Sequence, residues 1–417
     1  MTQRKRACYQ ILALVLAVAL IVPILAACGD AGDKTSPVTT MPVKTTPAAT
    51  TPAATTPTAT VSKEPVKIGV IIDYSGPGAV AGFLADGAIE FAEWYWNEKQ
   101  GGINVGGVKR PVKFLKYDNK CQVAEAAAAA KKALLDGCVA VTMGGISGQF
   151  GYPIADVTDP AKVLYATFLS NADILDNYHF TVSAFINVEA RLDMIAKLIV
   201  EKLKPKTVAM FGHNLDIDRD SMKRIKEKVL ALDPGIKIVY EEYYPLDTKD
   251  FSPYLTKIKY ENPDVLLTYS ANDAYMAIAK QMMDLGGWRD IKLVASTEAG
   301  AFPKVEKHPG AQGWYVPLCY LQGHGTPAQI EFGQLWAEKN GSAPSSNHPV
   351  IISPLVAAIK AIELAGTDDR AKVAEAARSG KLEYDSPLGY LKIGTDGKSN
   401  ITGFYVQVLD GKFVLVE

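Results

Sequence analysis

The sequence has no surplus of charge of either sign, and it is poor in cysteine and histidine. Its 417 residues include 44 Lys and Arg against 45 Asp and Glu, which gives a formal net charge of −1 at pH 7. A nucleic-acid-binding protein needs a basic face to neutralise phosphates, so this balance argues against nucleic acid as a partner. Five Cys and five His are scattered along the chain, which argues against a structural zinc site.

The composition instead suits a folded protein with more than one core. Hydrophobic residues make up 48% of the chain and aromatic residues 9%, whereas a disordered chain would have few of either. A length of 417 residues exceeds that of one ordinary domain and is sufficient for two lobes with separate cores.

The first 28 residues have the features of an export signal. A basic start is followed by an apolar run from Ile11 to Ala27 and then by Cys28, which is the order found in secretory signals. The string Leu25-Ala26-Ala27-Cys28-Gly29 resembles a bacterial lipobox, in which residues 1–27 are removed and Cys28 carries a diacylglyceryl group. The run has about 17 residues, the lower limit for crossing a bilayer, so a simple transmembrane anchor is the alternative.

The segment 28–63 is predicted to be a tether that begins with the lipidated Cys28. Residues 45–60 read TTPAATTPAATTPTAT, and Thr, Pro and Ala without large apolar groups cannot form a core. An O-glycosylated stalk is the alternative, with the same mechanical role. We therefore expect the protein to work outside the cytoplasm, anchored by lipid to the membrane on the periplasmic side or the cell surface.

From residue 64 onward, strand-like and helix-like segments alternate. Apolar runs such as Val66 to Ile72 and Val139 to Met143 predict buried strands, and the segments between them have helical spacing. The pattern restarts near residue 188, which predicts two α/β units with parallel sheets at roughly 64–186 and 187–319. A ligand is then expected between the lobes, at the carboxyl ends of the strands.

Two enzyme motifs match incompletely. Gly76-Pro77-Gly78 opens a helix as a dinucleotide loop does, but the acidic residue expected about 20 residues on is missing, and Asp118 lies about 40 residues away. The string Gly145-Ile146-Ser147-Gly148-Gln149 resembles a nucleophile elbow but lacks its final glycine. We predict no cofactor and no catalytic residue; Ser147 is instead predicted at a helix N-terminus, where its hydroxyl and backbone N–H groups would bind a carboxylate.

The cysteines of the folded part are predicted not to form the obvious pair. Cys121 and Cys138 flank a helix of about 14 residues, which is about 21 Å long. Bridged Cα atoms lie within about 7 Å of each other, so these two thiols are too far apart. A Cys121–Cys319 pair and buried thiols remain as alternatives.

Several short motifs follow one another in a fixed order, together with the lipobox. They are Ser75-Gly76-Pro77, Gly101-Gly102-Ile103-Asn104, Tyr117-Asp118, Ser147-Gly148, Asp250-Phe251-Ser252, Pro263-Asp264-Val265 and Ser296-Thr297-Glu298. This set resembles the type I periplasmic binding proteins, in particular the leucine/isoleucine/valine-binding family of ABC importers, over residues 64–417.

The resemblance implies an α/β fold with two Rossmann-like lobes and parallel sheets, joined by a three-stranded hinge, known as a Venus flytrap. Residues 64–186 and 320–400 would form the first lobe, and residues 187–319 and 401–417 the second. The ligand would be clamped when the lobes close, which shifts the population towards the closed form.

The resemblance also implies the residues that bind the ligand. Ser147 and Ser170 would bind its carboxylate, with the backbone around Gly145 and Leu169, and Glu298 from the second lobe would bind an α-amino group. Hydroxyls and a helix N-terminus favour an anion, and a carboxylate favours an ammonium. Ordinary helix capping and a solvated loop charge are the alternatives.

Ser75 and Gly148 belong to matching motifs and complete the predicted site. At the cleft positions where amino-acid binders of this family have aromatic side chains, this chain has Ala81, Ile217, Ala271 and a residue near Pro349. Candidates to replace those rings are Phe185, Tyr74, Phe168 and Tyr269. Smaller lining residues leave more volume, so an aromatic or other amine-free carboxylate is the alternative ligand.

The resemblance thus implies a lipid-anchored solute-binding protein without enzyme activity. It would capture a small carboxylate-bearing solute, first of all an apolar amino acid of the branched-chain type, and deliver it to an ABC permease. It would work as a monomer. A receptor subunit that passes a closed-lobe signal to a membrane kinase or chemoreceptor is a further alternative.

Overall fold

The computed structural model describes residues 64–76, 79–145, 148–169, 172–245, 247–270, 272–286, 288, 290–296 and 305–416. The predicted signal 1–27, the tether and the lipidation site Cys28 lie outside the described residues. Within these residues the chain forms two large sheets with helices on both faces. Each sheet with its helices is called a lobe.

The first lobe contains a parallel sheet of five described strands, in the order β4-β1-β5-β6-β7. The strands are β1 Val66–Ile72, β4 Val112–Asp118, β5 Ala140–Met143, β6 Leu164–Thr167 and β7 Thr181–Ser183, and a separate hairpin is formed by β2 Ile103–Val105 and β3 Val108–Arg110. Strand β1 is buried along nearly its whole length because helices cover both faces of the sheet.

The helices of the first lobe come from two parts of the chain. The first part provides α1 Ala79–Trp94, continued by the π-helical turn Tyr95–Lys99, then α2 Val123–Leu135, α3 Gly148–Thr158 and α4 Ala172–Asn177. The second part provides α9 Pro327–Asn340, α10 Asn347–Ala365, α11 Arg370–Ala377 and the hairpin β13 Leu382–Ser386 with β14 Gly389–Ile393. Helices α1 and α10 pack together on one face of the sheet, and α2 and α3 pack on the other.

Helix α10 is the described helix that is long and apolar enough to cross a membrane. It lies in the core of the first lobe, where 67% of its apolar window is buried. Its side chains, such as Leu355 and Ile359, are inaccessible to solvent. The apolar composition of α10 is therefore explained by its position in a protein core.

The second lobe contains a mixed sheet of seven described strands, in the order β16-β15-β12-β11-β10-β8-β9. The strands are β8 Thr207–His213, β9 Lys237–Tyr244, β10 Val265–Tyr269, β11 Lys292–Ala295, β12 Tyr315–Leu318, β15 Phe404–Leu409 and β16 Lys412–Leu415. The helices are α5 Val188–Lys197 with the π-helical turn Leu198–Leu203, α6 Asp216–Leu232, α7 Ser252–Glu261 and α8 Asn272–Leu285, and two 3₁₀ turns span Val305–Lys307 and Pro309–Ala311. The strands β8 to β12 are parallel as predicted, and the C-terminal hairpin β15–β16 adds antiparallel strands at β12.

Three chain segments run side by side where the chain passes between the lobes. The backbone N–H of Asn187 donates to the carbonyl of Ile401 at 2.8 Å. Gly403, with φ +78°, lies so close to the third segment that a Cβ there would stand 2.9 Å from the carbonyl oxygen of Leu318. These contacts lie at the predicted crossings; the exact limits of the lobes, 64–186 with 320–400 and 187–319 with 401–417, stay a prediction.

The cysteine prediction is confirmed. Cys121 and Cys138 form no disulfide with each other, and neither is bridged to Cys319. Cys138 is buried, and its Sγ lies 3.6 Å from the hydroxyl of Tyr117. Burial raises the pKa of the Cys138 thiol, which keeps it protonated and unreactive.

Candidate functional site

A cleft of about 480 Å³ lies between the two lobes. Its first-lobe lining comes from α4, the end of β7 and the crossing segments, and its second-lobe lining from the start of α5, the first half of α6 and the end of β10. The volume falls in the range of about 300–1,000 Å³ that is typical of small-molecule sites. The position, at the carboxyl ends of parallel strands, is where α/β sheets bind ligands.

A smaller cavity of about 270 Å³ lies in the first lobe between α1, α9 and α10. It is lined by the rings of Phe91, Tyr95 and Phe332 and by the ion pair Lys360–Glu363. Among the described residues, none that lines this cavity stands just after the end of a strand of either large sheet. The interlobe cleft is therefore the candidate site.

The chain leaves β5 through a turn that requires glycine at positions 144 and 145. Met143, Gly144 and Gly145 all have positive φ, at 77°, 111° and 93°. A Cβ on Gly144 would overlap the hydroxyl of Tyr165, and a Cβ on Gly145 would stand 2.6 Å from Nδ2 of Asn119. The turn is thus packed tightly against Tyr165 and Asn119. It leads the chain towards the N-terminus of α3 at Gly148.

Two hydroxyls hold this turn from the neighbouring strand. The hydroxyls of Tyr165 and Thr167 both donate to the carbonyl oxygen of Met143, at 3.0 and 2.7 Å. The Thr167 hydroxyl also accepts the backbone N–H of Leu169 at 3.0 Å. The backbone around Leu169 was predicted to contact a carboxylate, and the N–H of Leu169 itself is already used within the protein.

Ser75 follows β1 and is bound to the end of β4. Its hydroxyl donates to Oδ2 of Asp118 at 2.5 Å, and its N–H and that of Tyr74 donate to Oδ1 at 3.2 and 3.0 Å. Partial burial raises the pKa of Asp118, but the hydrogen bonds from Ser75, Lys120 and Tyr74 outweigh it, so that the pKa lies below its usual value. The hydroxyl proton of Ser75 is used in its bond to Asp118. The lone pairs of the Ser75 oxygen can still accept a hydrogen bond from a donor such as an ammonium.

Phe185 lies in the cleft where the chain crosses from the first lobe to the second. It is half-buried, and the guanidinium of Arg191 lies 5.7 Å from its ring centroid, within the range of a cation–π contact. The ring of Tyr269 reaches the same cleft from the end of β10. Burial raises the pKa of Tyr269, and the charge of Arg191 and a hydrogen bond with Ser221 oppose this. Aromatic rings thus reach the cleft from both sides.

Both cations that line the cleft among the described residues are paired within their own lobes. Arg224 forms ion pairs with Glu189 and, at 3.3 Å, with Asp220, and all three lie in the second lobe. Lys398 pairs with Asp176 of the first lobe at 3.1 Å. These pairs were missed by sequence reasoning, because no local pattern tells which helix face meets the cleft.

The remaining predicted site residues are only partly described. Ser147, Ser170, Ala271 and Glu298 lie outside the described residues, and so does the side chain of Ile217, whose backbone forms the first turn of α6. The strands β5, β6 and β1 are adjacent in the first sheet. Gly145 and Gly148 follow β5, Leu169 follows β6, and Ser75 follows β1. The structure therefore brings these four together at one edge of the first sheet, and it places Phe185 in the cleft beside β7.

The sequence model of the family described as "Periplasmic binding protein" matches residues 65–412. The chain belongs to the periplasmic binding protein family. The Leu/Ile/Val-binding protein homolog 4 of Brucella melitensis is 27% identical over 310 residues, which cover 70% of each chain. A leucine-binding protein of Thermotoga maritima has a TM-score of 0.70 and 21% identity over 84% of this chain and 98% of its own. A solute-binding protein of R. palustris in complex with 4-hydroxybenzoate has a TM-score of 0.69 and 21% identity, covering 85% and 96%.

Family membership accounts for the geometry described above. The chain has the type I periplasmic binding protein fold, with two α/β lobes and a cleft at the strand ends. The family is described as one of periplasmic binding proteins, which work outside the cytoplasm. The sequence predictions of family and fold are thus confirmed.

Proposed function

We propose that this protein captures a small carboxylate-bearing solute in the interlobe cleft and delivers it to an ABC permease. The observation that carries the proposal is the convergence of the ends of β1, β5 and β6, where the tightly packed Gly144-Gly145 turn leads into α3. The N-terminal N–H groups of α3 carry partial positive charge that attracts an anion. Ser147 and Ser170 are proposed to add hydroxyl donors to the same carboxylate.

An apolar amino acid of the branched-chain type is the first candidate ligand. The Ser75 oxygen and the ionised Asp118 place negative charge at the edge of the first sheet, and Glu298 is proposed to bind the α-amino group from the second lobe. Phe185, Val188 and Tyr269 offer apolar surface to a side chain. The name of the Brucella relative, a homologue of Leu/Ile/Val-binding proteins, supports this candidate.

An amine-free aromatic carboxylate is the second candidate. The rings of Phe185 and Tyr269 face the cleft from opposite lobes and could enclose a flat ligand. The R. palustris protein of the same fold was solved with 4-hydroxybenzoate, which supports this alternative. The two candidates differ in one group, the amine, and therefore in their dependence on Glu298.

We also propose that the protein is a monomeric lipoprotein. Removal of residues 1–27 would leave Cys28 as the lipid-bearing N-terminus, and residues 28–63 would tether the lobes to the membrane. Labelling with a radioactive fatty acid tests the anchor. Wild type should be labelled and Cys28→Ala should not, and label retained by Cys28→Ala would rule out this anchor.

A thermal-shift screen of the detergent-solubilised full chain tests the ligand. Branched-chain amino acids, the amine-free analogue 4-methylpentanoate and benzoates are compared on wild type and Glu298→Ala, with exposed Glu375→Ala on α11 as the control. A ligand at 100 times its dissociation constant stabilises by about 2.7 kcal/mol. Stabilisation by amino acids that Glu298→Ala abolishes supports the first candidate. Stabilisation by amine-free acids alone, unchanged in Glu298→Ala, would contradict it and favour the second.

A further inference from the structure

Ser183 is the last residue of β7 and lines the interlobe cleft. It is 3% exposed, and its hydroxyl has no hydrogen-bond partner in the described part of the chain. A buried hydroxyl that lacks a partner is unfavourable, and such groups in native proteins call for an explanation. A ligand group that bonds to this hydroxyl would provide one.

The other uncharged polar groups beside Ser183 are already committed. Asn187 accepts the N–H of Ala190 at 3.3 Å, and its Nδ2 donates to the carbonyl of Ser399 at 3.2 Å. The hydroxyl of Ser399 donates to the carbonyl of Phe185. These groups hold the crossing segments together, so Ser183 is the cleft hydroxyl left to recognise a ligand at this end.

The charges around Ser183 indicate what kind of group it can meet. Among the described residues, the cleft is lined by three carboxylates, those of Asp173, Glu189 and Asp220, and by two cations, Arg224 and Lys398. Both cations are paired with carboxylates of their own lobe. A further carboxylate of the ligand would be repelled here, whereas a neutral hydroxyl can both donate to and accept from Ser183.

We propose that Ser183 determines specificity for a ligand that carries a hydroxyl on the part facing β7. The ligand would then be a carboxylate with an apolar body and one hydroxyl, as in a hydroxy-amino acid or a hydroxy-aromatic acid. This inference rests on the proposed function, because it places the ligand's carboxylate at the ends of β5 and β6. It narrows the ligand class to carboxylates that carry a hydroxyl, because Ser183 ends β7, the strand next to β6.

Thr181 provides a matched control on the same strand. It points to the same face of the sheet two residues earlier, it is fully buried, and its hydroxyl also has no partner among the described residues. Unlike Ser183, it does not line the cleft. Ser183→Ala and Thr181→Val therefore each remove one buried hydroxyl, but only the first changes the surface that a ligand meets.

Isothermal titration of the detergent-solubilised full chain tests the proposal. Three pairs of carboxylates that differ by one hydroxyl are compared: threonine with valine, tyrosine with phenylalanine, and 4-hydroxybenzoate with benzoate. In at least one pair the hydroxylated member should bind about tenfold more tightly, the value of one good neutral hydrogen bond. Ser183→Ala should reduce that ratio to near one, and Thr181→Val should leave it unchanged. Thermal unfolding without ligand checks that both variants are folded.

The outcomes separate this inference from the proposed function. Equal dissociation constants within every pair, or a preference that survives in Ser183→Ala, would overturn the role of Ser183 while carboxylate binding stands. A preference lost equally in Thr181→Val would overturn it too, because the effect would then be one of strand stability. If none of the six carboxylates binds while leucine, isoleucine or 4-methylpentanoate does in the thermal-shift screen, the role of Ser183 is overturned and the proposed function stands; binding of no carboxylate in either experiment overturns both.

Discussion

At the edge of the first lobe where β1, β5 and β6 end the backbone sets the surface, whereas on the second-lobe side of the cleft paired charged side chains do. The first side has the positive-φ turn at Gly144-Gly145 and the carboxylate of Asp118 that accepts N–H groups from three residues. The second side has Arg224 between Glu189 and Asp220, on solvated helix surfaces. A backbone turn has one packed arrangement, while exposed ion pairs can rearrange at small cost. We therefore expect the first side to be preorganised and the second to adapt during closure.

Gly145→Ala should have the largest effect on stability and binding, because it disturbs the first-lobe edge that we expect to be preorganised. The residue has φ +93°, and an added Cβ would stand 2.6 Å from Asn119 Nδ2 and 2.9 Å from the ring of Phe150. Backbone strain and overpacking together should destabilise the protein by about 3 kcal/mol and weaken ligand binding at least about 100-fold. Urea unfolding and titration with the identified ligand measure the two effects.

Gly107→Ala is the matched control for this prediction. Gly107 has φ +90°, almost the same backbone conformation, but nothing lies within 4 Å of its added Cβ. It should cost about 1 kcal/mol, the strain alone, and leave binding unchanged. Equal losses in the two variants would show that the close packing under the β5 turn is unimportant.

Thr167→Val should have the next largest effect. The buried hydroxyl of Thr167 donates to the carbonyl of Met143 and accepts the N–H of Leu169, so valine leaves an unpaired N–H at the strand-end edge. We expect a loss of about 2 kcal/mol in unfolding free energy, measured in urea. Thr158→Val is the control, since that hydroxyl bonds to the carbonyl of Ile154 within its own helix. If the control loses as much stability as Thr167→Val, the edge has no special dependence on this hydroxyl.

Much of the fold could be predicted from the sequence because long apolar runs have a clear period. The strand predicted at Val66 to Ile72 is β1 itself, and the strand predicted at Val139 to Met143 differs from β5 by one residue. The hairpin β2–β3 and the strand β7 were not predicted, since three residues are too few to show a period. The antiparallel addition of β15 to β12 depends on tertiary pairing, which a local pattern does not contain.

The candidate site could be predicted less completely than the fold. The rule that ligands bind at the ends of parallel strands predicts a site at the edge that holds Ser75, Gly145 and Leu169, and their role in binding stays a prediction. It could not show that the Thr167 hydroxyl already accepts the N–H of Leu169, because that hydrogen bond depends on the side-chain rotamer of Thr167. Ser183 was also missed, because an unpartnered hydroxyl is defined by its three-dimensional surroundings and not by sequence spacing.

Asp118→Asn should change how stability depends on pH. The pKa of Asp118 is lower in the folded protein than in the unfolded chain, because Ser75, Lys120 and Tyr74 donate to the carboxylate. Its stabilising contribution is therefore complete above the usual pKa of about 4 and is lost as pH falls through the lower folded value. Urea unfolding between pH 7 and pH 3 should show a smaller acid-induced loss in Asp118→Asn than in wild type. An identical acid slope in both proteins would show that the Asp118 bonds contribute nothing, and Glu375→Gln serves as the exposed control.

Arg224→Met should have the smallest effect on stability, and this tests the adaptable side of the cleft. The side chain of Arg224 is 31% exposed and those of its partners Glu189 and Asp220 are 59% and 60% exposed. Ion pairs of this kind contribute at most about 1 kcal/mol, so we expect a loss near 0.5 kcal/mol in urea unfolding. Lys223→Met, which removes the more exposed pair with Glu227, is the control and should cost less still. A loss above about 2 kcal/mol in Arg224→Met would mean that the second side is as preorganised as the first.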